Sequence, residues 1–473
     1  MHVYFLGIGG TAMGNIAVLL KRLGWAVSGS DQKLYPPMSE LLSAAGIVWR
    51  EGYCASSLAR ENPGLVIVGN AFSRGNEEIE WLLAERKIPF TSLASFIGER
   101  VIGQRQSLVV AGTHGKTTTS TILTYLLREA GQQPGHLIGG VPRGGFSGAE
   151  WGRPQGPFVI EGDEYDSAFF DKRSKFIHYR PRIAVVNNVE FDHADIFRDL
   201  ADVKRTFGHF IRLIPRQGYL LLNGDDPNCS DWAEVPWTQV LRVGLGREND
   251  LRIADFSENA NSAYFRLEWQ GKPWLAGKWS LPGIFNARNA AMATLAAALY
   301  LSPTDPTKAE VPGWSGFRGV RRRQESLGVV GQWHFFEDFG HHPTAIRLAL
   351  ESFRERFPQH QLVCAVEPRS NTLRTNCLEA ELQKALECAD EVLLGPVDRL
   401  QALALESRLG TSSIAERLRK KGLRAEAFEE HAELQRYLEE KVKDPQGQPA
   451  VLILFSNGAF GGLPAKLHAW AQE

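Results

Sequence analysis

Two glycine loops, each set between an apolar run and a helix-forming run, limit what this chain can fold into. The first lies in MHVYFLGIGGTAMGNIAVLL, residues 1–20, and the second in VVAGTHGKTTTSTILTYLL, Val109 to Leu127. A glycine loop that opens a helix gathers free backbone N–H groups and the positive end of the helix dipole at one point, so it suits a phosphate. Strand, loop and helix in that order are the unit of an open parallel α/β sheet. A chain with two such loops, well apart, is expected to cradle two phosphate-bearing ligands.

The rest of the chain keeps the same rhythm. HVYFLGI, AVSGSD and LVIVGN read as strands; MGNIAVLLKRLG, MSELLSAAG and EEIEWLLAERK read as helices between them. A second series runs through LVVAG, FVIEGDEYD, IAVVNNVEFDH and GYLLLNGDD, and NARNAAMATLAAALYL is a strong helix. WHFFEDFGHHP, HQLVCAVEPRSN, DEVLLGPVD and AVLILFSNGAF form a third series. With 473 residues the length favours about three domains. The expectation is three α/β domains, each a mainly parallel sheet with flanking helices, at 1–104, 105–316 and 317–473. The polar tails of the apolar runs should converge where ligands sit, beyond the strands' carboxyl ends.

The formal net charge of −1 offers no basic excess for nucleic acid, although Arg321–Arg323 form a local cluster. Five widely spaced cysteines without a CxxC pair fit a reducing cytoplasm. No apolar run approaches a membrane span, and the glycines after MHVYFL make that run a buried strand rather than a leader.

In the first loop, Gly7-x-Gly9 with Ala12 fits a loose dinucleotide fingerprint, and Asp31 ends the second strand where a ribose-binding acid belongs. Glycines used only for a tight turn would look the same. The second loop departs from the full phosphate-loop pattern, since Val110 stands where glycine is required. Gly112-Thr113-His114-Gly115-Lys116-Thr117-Thr118 still supplies an amide nest, a fixed positive charge at Lys116 and a hydroxyl at Thr117 for Mg²⁺.

GTHGKTT resembles the ATP loop of the Mur ligase family, and the resemblance runs over essentially the whole chain. EGDEYDSAFF, NVEFDHADIF, LPGIFNARNAAMA, GFRGVRRRQE and EDFGHHPTAI are similar to successive motifs of that family, with Phe285 where many members have histidine. The resemblance implies an ADP-forming ligase of peptidoglycan metabolism, with one domain each for a UDP-sugar, ATP and the incoming amine. It implies that the first loop, with Gly10, Thr11, Ser30, Asn70 and Arg74, holds the UDP-sugar. It assigns Lys116 to the phosphates; Thr117, Glu161 and His193 to Mg²⁺; Asn289 to adenine; Arg323 to the phosphates on domain closure; and Asp338 and His341 to ribose or to the reacting groups. Members of the family often carry a carbamylated lysine at the place where Gly208 stands here.

The opening GxGG and DFGHHPT are similar to the branch that accepts free UDP-N-acetylmuramate. YPPMSELL, GNAFSRGNEEIE, AVEPRSNTLRTN and LFSNGAFGGLPAKL resemble the members that add the recycled tripeptide L-alanyl-γ-D-glutamyl-meso-diaminopimelate; the alternative is addition of L-alanine. Arg369 can grip a carboxylate through two parallel hydrogen bonds, and Ser370, Asn371, Ser456 and Asn457 complete the expected peptide pocket. A monomer or weak homo-oligomer with small-molecule substrates is expected.

Blander and rival readings exist. Asp163, Glu164 and Asp166 also suit a solvated acidic turn, His341 and His342 a helix cap, and Arg321 and Arg322 surface charge. A nicotinamide-dependent dehydrogenase would leave the GKT loop, Glu161 and His193 without purpose. A nonenzymatic ATP-binding switch would hydrolyse slowly without needing carboxylate and amine together.

Overall fold

Ser107–Ala111 (SLVVA) is buried along its whole length, and its valines suit a strand covered on both faces. In the computed structural model, which describes residues 1–35, 38–444 and 448–472, this strand lies inside a ten-stranded sheet. Pro181–Val186 and Phe158–Gly162 flank it, both parallel to it. The three strands therefore deliver Gly112, Asn187 and Glu161 to one edge of the sheet. Helix Lys116–Glu129 leaves from that edge. Its Ser120 and Thr121 hydroxyls donate back to the carbonyls of Lys116 and Thr117 at 2.8 and 2.6 Å, so a threonine-rich run stays helical with those hydroxyls paired. Helix Ile284–Leu301 is apolar on nearly every side and packs against it, the alanines allowing close approach.

The sheet is longer than the sequence pattern suggests. Leu251–Asn259, Ser262–Trp269 and Lys272–Trp279 form an antiparallel meander that extends it beyond the parallel strands. Ser262–Trp269 alternates buried and half-buried residues, the signature of a strand covered on one face.

The first sheet is wholly parallel: Val48–Glu51, Ala26–Asp31, His2–Leu6, Leu65–Val68 and Phe90–Ser92 lie side by side in that order. Strand order reverses beside His2–Leu6, and the first glycine loop follows that strand directly. Pro36 and Pro37 of YPPMSELL lie outside the described residues. A π-helical turn, Ile97–Ile102, precedes Ser107–Ala111.

The third sheet runs Glu325–Val330, Trp333–Asp338, Ala450–Phe455, Gln361–Val366, Glu391–Leu394 and Arg424–Ala427, antiparallel only in its first pair. Asp338, Phe455 and Val366 are aligned in register, so the segments after them meet at one edge. The entry to this domain is stitched to the middle one. Pro142 and Val320 form an antiparallel bridge, Arg143 N–H donates to the Gly319 carbonyl at 2.9 Å, and Arg321 N–H to that of Val141 at 3.0 Å. Among the described residues no helix is long and apolar enough to cross a membrane.

Candidate active site

The second glycine loop is held from the strand edge beside it. His114 N–H donates to Asn188 Oδ1 at 2.7 Å, Thr113 N–H donates to the Asn188 carbonyl, and Asn187 Nδ2 donates to Thr119 Oγ1 at 3.0 Å. Gly112 has φ +133° and Gly115 φ +81°. A Cβ at Gly115 would lie 2.5 Å from Asn289 Oδ1, so the loop and the candidate adenine residue are in tight apposition.

Lys116 folds over this loop. Its ammonium donates to the Gly112 carbonyl at 2.6 Å and reaches both Glu164 oxygens at 3.0 and 2.9 Å. Glu164, whose side chain is 3% exposed, also meets His193 Nε2 at 2.9 Å. The solvated acidic turn is therefore corrected at this position: Glu164 is a buried anion shared by a lysine and a histidine. Burial opposes the Lys116 charge, but Glu164, Asp163 and Glu161 together outweigh it and raise the ammonium's pKa. Burial likewise opposes the Glu164 charge, and Lys116 with His193 pulls its pKa down. His193 is pushed down by burial and up by its bond to Glu164, with a net rise. It sits at φ +57°, a costly conformation for a non-glycine, pinned by the Asp192 carboxylate on its own N–H at 2.7 Å.

Glu161 faces elsewhere. Its carboxylate accepts from Gly139 N–H at 2.8 Å and lies 3.2 Å from Thr117 Oγ1. Burial raises its pKa, which marks a carboxylate short of positive charge. A hydroxyl and an under-compensated carboxylate side by side fit the oxygen donor set of Mg²⁺. His193 is paired with Glu164 rather than with Glu161.

The RRR cluster splits into three tasks. Arg321 is exposed. Arg322 is no surface charge: it is ion-paired to Glu337 at 2.6 Å and donates to the carbonyls of Ser456 and Gly458. Arg323 lies between, over the Phe339 ring at 4.9 Å, with no hydrogen bond or ion pair among the described residues. Burial lowers its pKa against the pull of Asp338 and Glu161. Arg322 and Gln324 both have positive φ, and Arg323 sits between them in the cleft wall.

Two cavities meet at this arginine. One, about 410 Å³, is lined by Asn187, Asn286, Asn289, Thr118 and Asp338; the other, about 570 Å³, by Gly10, Thr11, Asn70, Lys116, Glu161 and His193. His114, Gly115 and Arg323 border both. Asp338 accepts from Gln324 and Gly340 N–H, and burial raises its pKa. His341 faces the larger cavity, its Nδ1 on the Phe339 carbonyl at 3.0 Å and Nε2 3.9 Å from Asp192.

Other expected residues turn away from the cavities. Asp31 accepts from Gly9 N–H at 2.7 Å and so fastens its own loop, and Gly7, at φ +89°, packs on Phe72. The Ser30 hydroxyl is fully buried and donates to Glu78 at 2.7 Å. Arg74 is exposed and paired with Glu80 through two bonds. The Ser456 hydroxyl is buried on Glu367, and the Ser370 hydroxyl caps a turn at Leu373. Arg369 is 41% exposed, 3.8 Å from Asp398, with Gly458 leaving room for its stem. Asn371 donates to Asp195 Oδ2 at 2.8 Å, across the domain boundary and two residues from His193. Asn457 Oδ1 is buried without a partner. Asn187, Asn188, Glu190 and Asp195 carry no role in the sequence pattern, and Glu164 only that of an acidic turn; the signal available was that Asn187 and Asn188 directly follow the apolar run IAVV.

Comparisons with known proteins give the family. Residues 2–104 match the Mur ligase family catalytic domain and residues 156–297 the Mur ligase middle domain. The chain is 38% identical to the UDP-N-acetylmuramate–L-alanyl-γ-D-glutamyl-meso-2,6-diaminoheptandioate ligase of Escherichia coli, over 99% of this chain and 97% of that protein. It is 30% identical to the UDP-N-acetylmuramate–L-alanine ligase of Burkholderia multivorans, over 100% of this chain and 98% of that protein. The crystal structure of a murein peptide ligase from Psychrobacter arcticus superposes with a TM-score of 0.70 at 32% identity, covering 100% of this chain and 98% of that one. The chain belongs to the Mur ligase family, whose members are ATP-dependent, ADP-forming ligases.

Proposed function

We infer that this enzyme joins UDP-N-acetylmuramate to the tripeptide L-alanyl-γ-D-glutamyl-meso-diaminopimelate in peptidoglycan recycling, in the cytoplasm, at the expense of ATP. The observation that carries the reading is the pair of cavities with Arg323 in their common wall. ATP would occupy the smaller one, its adenine near Asn289 and its phosphates running past Gly115 towards Lys116. The UDP-sugar would enter the larger one from Gly10, Thr11 and Asn70.

In that arrangement the lactyl carboxylate attacks the γ-phosphorus, ADP leaves, and an acyl phosphate forms. The peptide's α-amine then attacks the acyl carbon, phosphate leaves and the amine gives up a proton. Two anions must be brought together, so cations dominate the catalysis. Lys116 shields the phosphates and stays charged because Glu164 holds it. Arg323, near Asp338 and Glu161 but in no ion pair among the described residues, supplies the second fixed charge. Thr117 and Glu161, with His193 beside them, would hold Mg²⁺, which when bound neutralises triphosphate charge. Lys204, one helical turn before Gly208, is paired with Asp231 at 3.1 Å.

The amine side rests on the third domain. Arg369 with Asn371, and the unpartnered Asn457 acceptor, suit a substrate carrying carboxylates and ammonium groups. The higher identity to the tripeptide ligase, 38% against 30%, favours the peptide over L-alanine. The test offers UDP-N-acetylmuramate, Mg²⁺ and ATP with either amine, and follows released phosphate. Turnover with L-alanine and none with the tripeptide would overturn the assignment. Arg369→Ala should raise the peptide's KM about tenfold and leave that of ATP unchanged; a change in the ATP value alone would move the peptide pocket elsewhere.

A further inference from the structure

We propose that His114, Glu190 and His342 form a binding site for a borderline transition-metal ion, of which Zn²⁺ is the representative, joining the nucleotide loop to the third domain. Their donor atoms lie within 4.8 Å of one another. Glu190 Oε2 is 2.6 Å from His114 Nε2 and 3.4 Å from His342 Nδ1. Tetrahedral zinc with bonds near 2.0–2.1 Å spaces its donors about 3.3 Å apart, so small side-chain movements would complete the set.

The hydrogen bonds around the cluster favour ligation. His342 Nε2 donates to the Phe191 carbonyl at 3.1 Å, which leaves the lone pair on Nδ1, the atom that faces Glu190. A backbone carbonyl on the far nitrogen is how ligating imidazoles are oriented. Burial and the neighbouring His114 bring the His342 pKa to about 4, so the ring is neutral, the ligand form, at pH 7. The bond that an ion would replace is weak: Nδ1 accepts a long N-cap bond from Thr344 N–H at 3.3 Å. Glu190 keeps its other oxygen on the Thr344 hydroxyl at 2.8 Å. His114 and Glu190 border the smaller cavity, which gives the ion an open position for water or a phosphate oxygen.

Two imidazoles and one carboxylate select Zn²⁺, Co²⁺ or Ni²⁺ over Mg²⁺, which prefers oxygen alone. The site is therefore distinct from the Thr117–Glu161 pair. An ion there would clamp the third domain onto the loop that has to release ADP, so micromolar Zn²⁺ should inhibit ligation even under saturating Mg²⁺ and ATP.

The test adds Co²⁺ to the full chain without nucleotide and records visible absorption. The expected result is an intense tetrahedral band saturating at one equivalent and bleached by one equivalent of Zn²⁺. Glu190→Gln, His342→Asn and His114→Asn should each abolish the band and weaken Zn²⁺ binding at least tenfold by calorimetry. The three variants are read independently, so one that fails to fold leaves the others to decide. Absence of the band in the unsubstituted chain, or its survival in the folded variants, would overturn the proposal and reduce the cluster to a hydrogen-bonded latch.

Discussion

The two glycine loops sit at equivalent places, each after a central parallel strand and before a helix, yet they are built differently. The first is tied by the Asp31 carboxylate on Gly9 N–H and by the Ser30 carbonyl on Gly7 and Ile8 N–H, and its own sequence, GIGGTA, has no lysine or arginine. The second carries Lys116, and a buried acid, Glu164, neutralises that lysine. A loop that only binds needs amides and room. A loop that must stabilise charge during reaction needs a fixed cation, and a buried cation needs a partner to keep the folded chain stable.

That contrast can be broken most directly at Lys116. Lys116→Ala should lower the ligation rate on the order of 10³-fold with the far-ultraviolet spectrum unchanged, measured by phosphate release. Full activity would remove the distinction between the loops. Next, Glu164→Gln leaves Lys116 buried without its anion. Roughly 3 kcal/mol of stability should be lost in the nucleotide-free protein, and Mg²⁺ with ATP should restore much of it. A denaturation midpoint indifferent to nucleotide in this variant would contradict the pairing argument.

In the first loop, a Cβ at Gly9 would lie 2.3 Å from Leu34 and 2.8 Å from Asp31. Gly9→Ala should therefore raise the KM for UDP-N-acetylmuramate about tenfold without altering kcat, one hydrogen-bonded contact's worth. A fall in kcat instead would give this loop a share in the chemistry.

The smallest effect is set by pH. The folded-state pKa of His342, about 4, lies below its unfolded value of 6.5, so between these values the unfolded chain binds more protons. Stability from this group is complete above pH 6.5 and is lost as pH falls towards 4, on the order of 1–3 kcal/mol. Urea midpoints at pH 7.5 and 5 should differ in the native chain and converge in His342→Asn, since asparagine can still cap the helix.

Much of this was legible beforehand because it is local. Apolar runs ending in polar residues gave the parallel strands, and GTHGKTT gave the loop between a central strand and its helix. Residues that act through distant partners were not legible. Nothing adjacent to Glu164 announces Lys116, 48 residues away, or His193, 29 away. Ser30 near the end of its strand and Ser456 just past its own stand where ligand residues do, but each hydroxyl turns inward to a buried glutamate, a choice made by tertiary packing. The antiparallel meander at Leu251–Trp279 escaped notice because its alternation is half polar and resembles a loop.

The stitch between Val141–Arg143 and Gly319–Arg321 puts Arg323 two residues from the seam where the middle and third domains are hydrogen-bonded. Local loosening of the third domain's outer segments, those bearing Arg369 and Asn457, would therefore reach that guanidinium last.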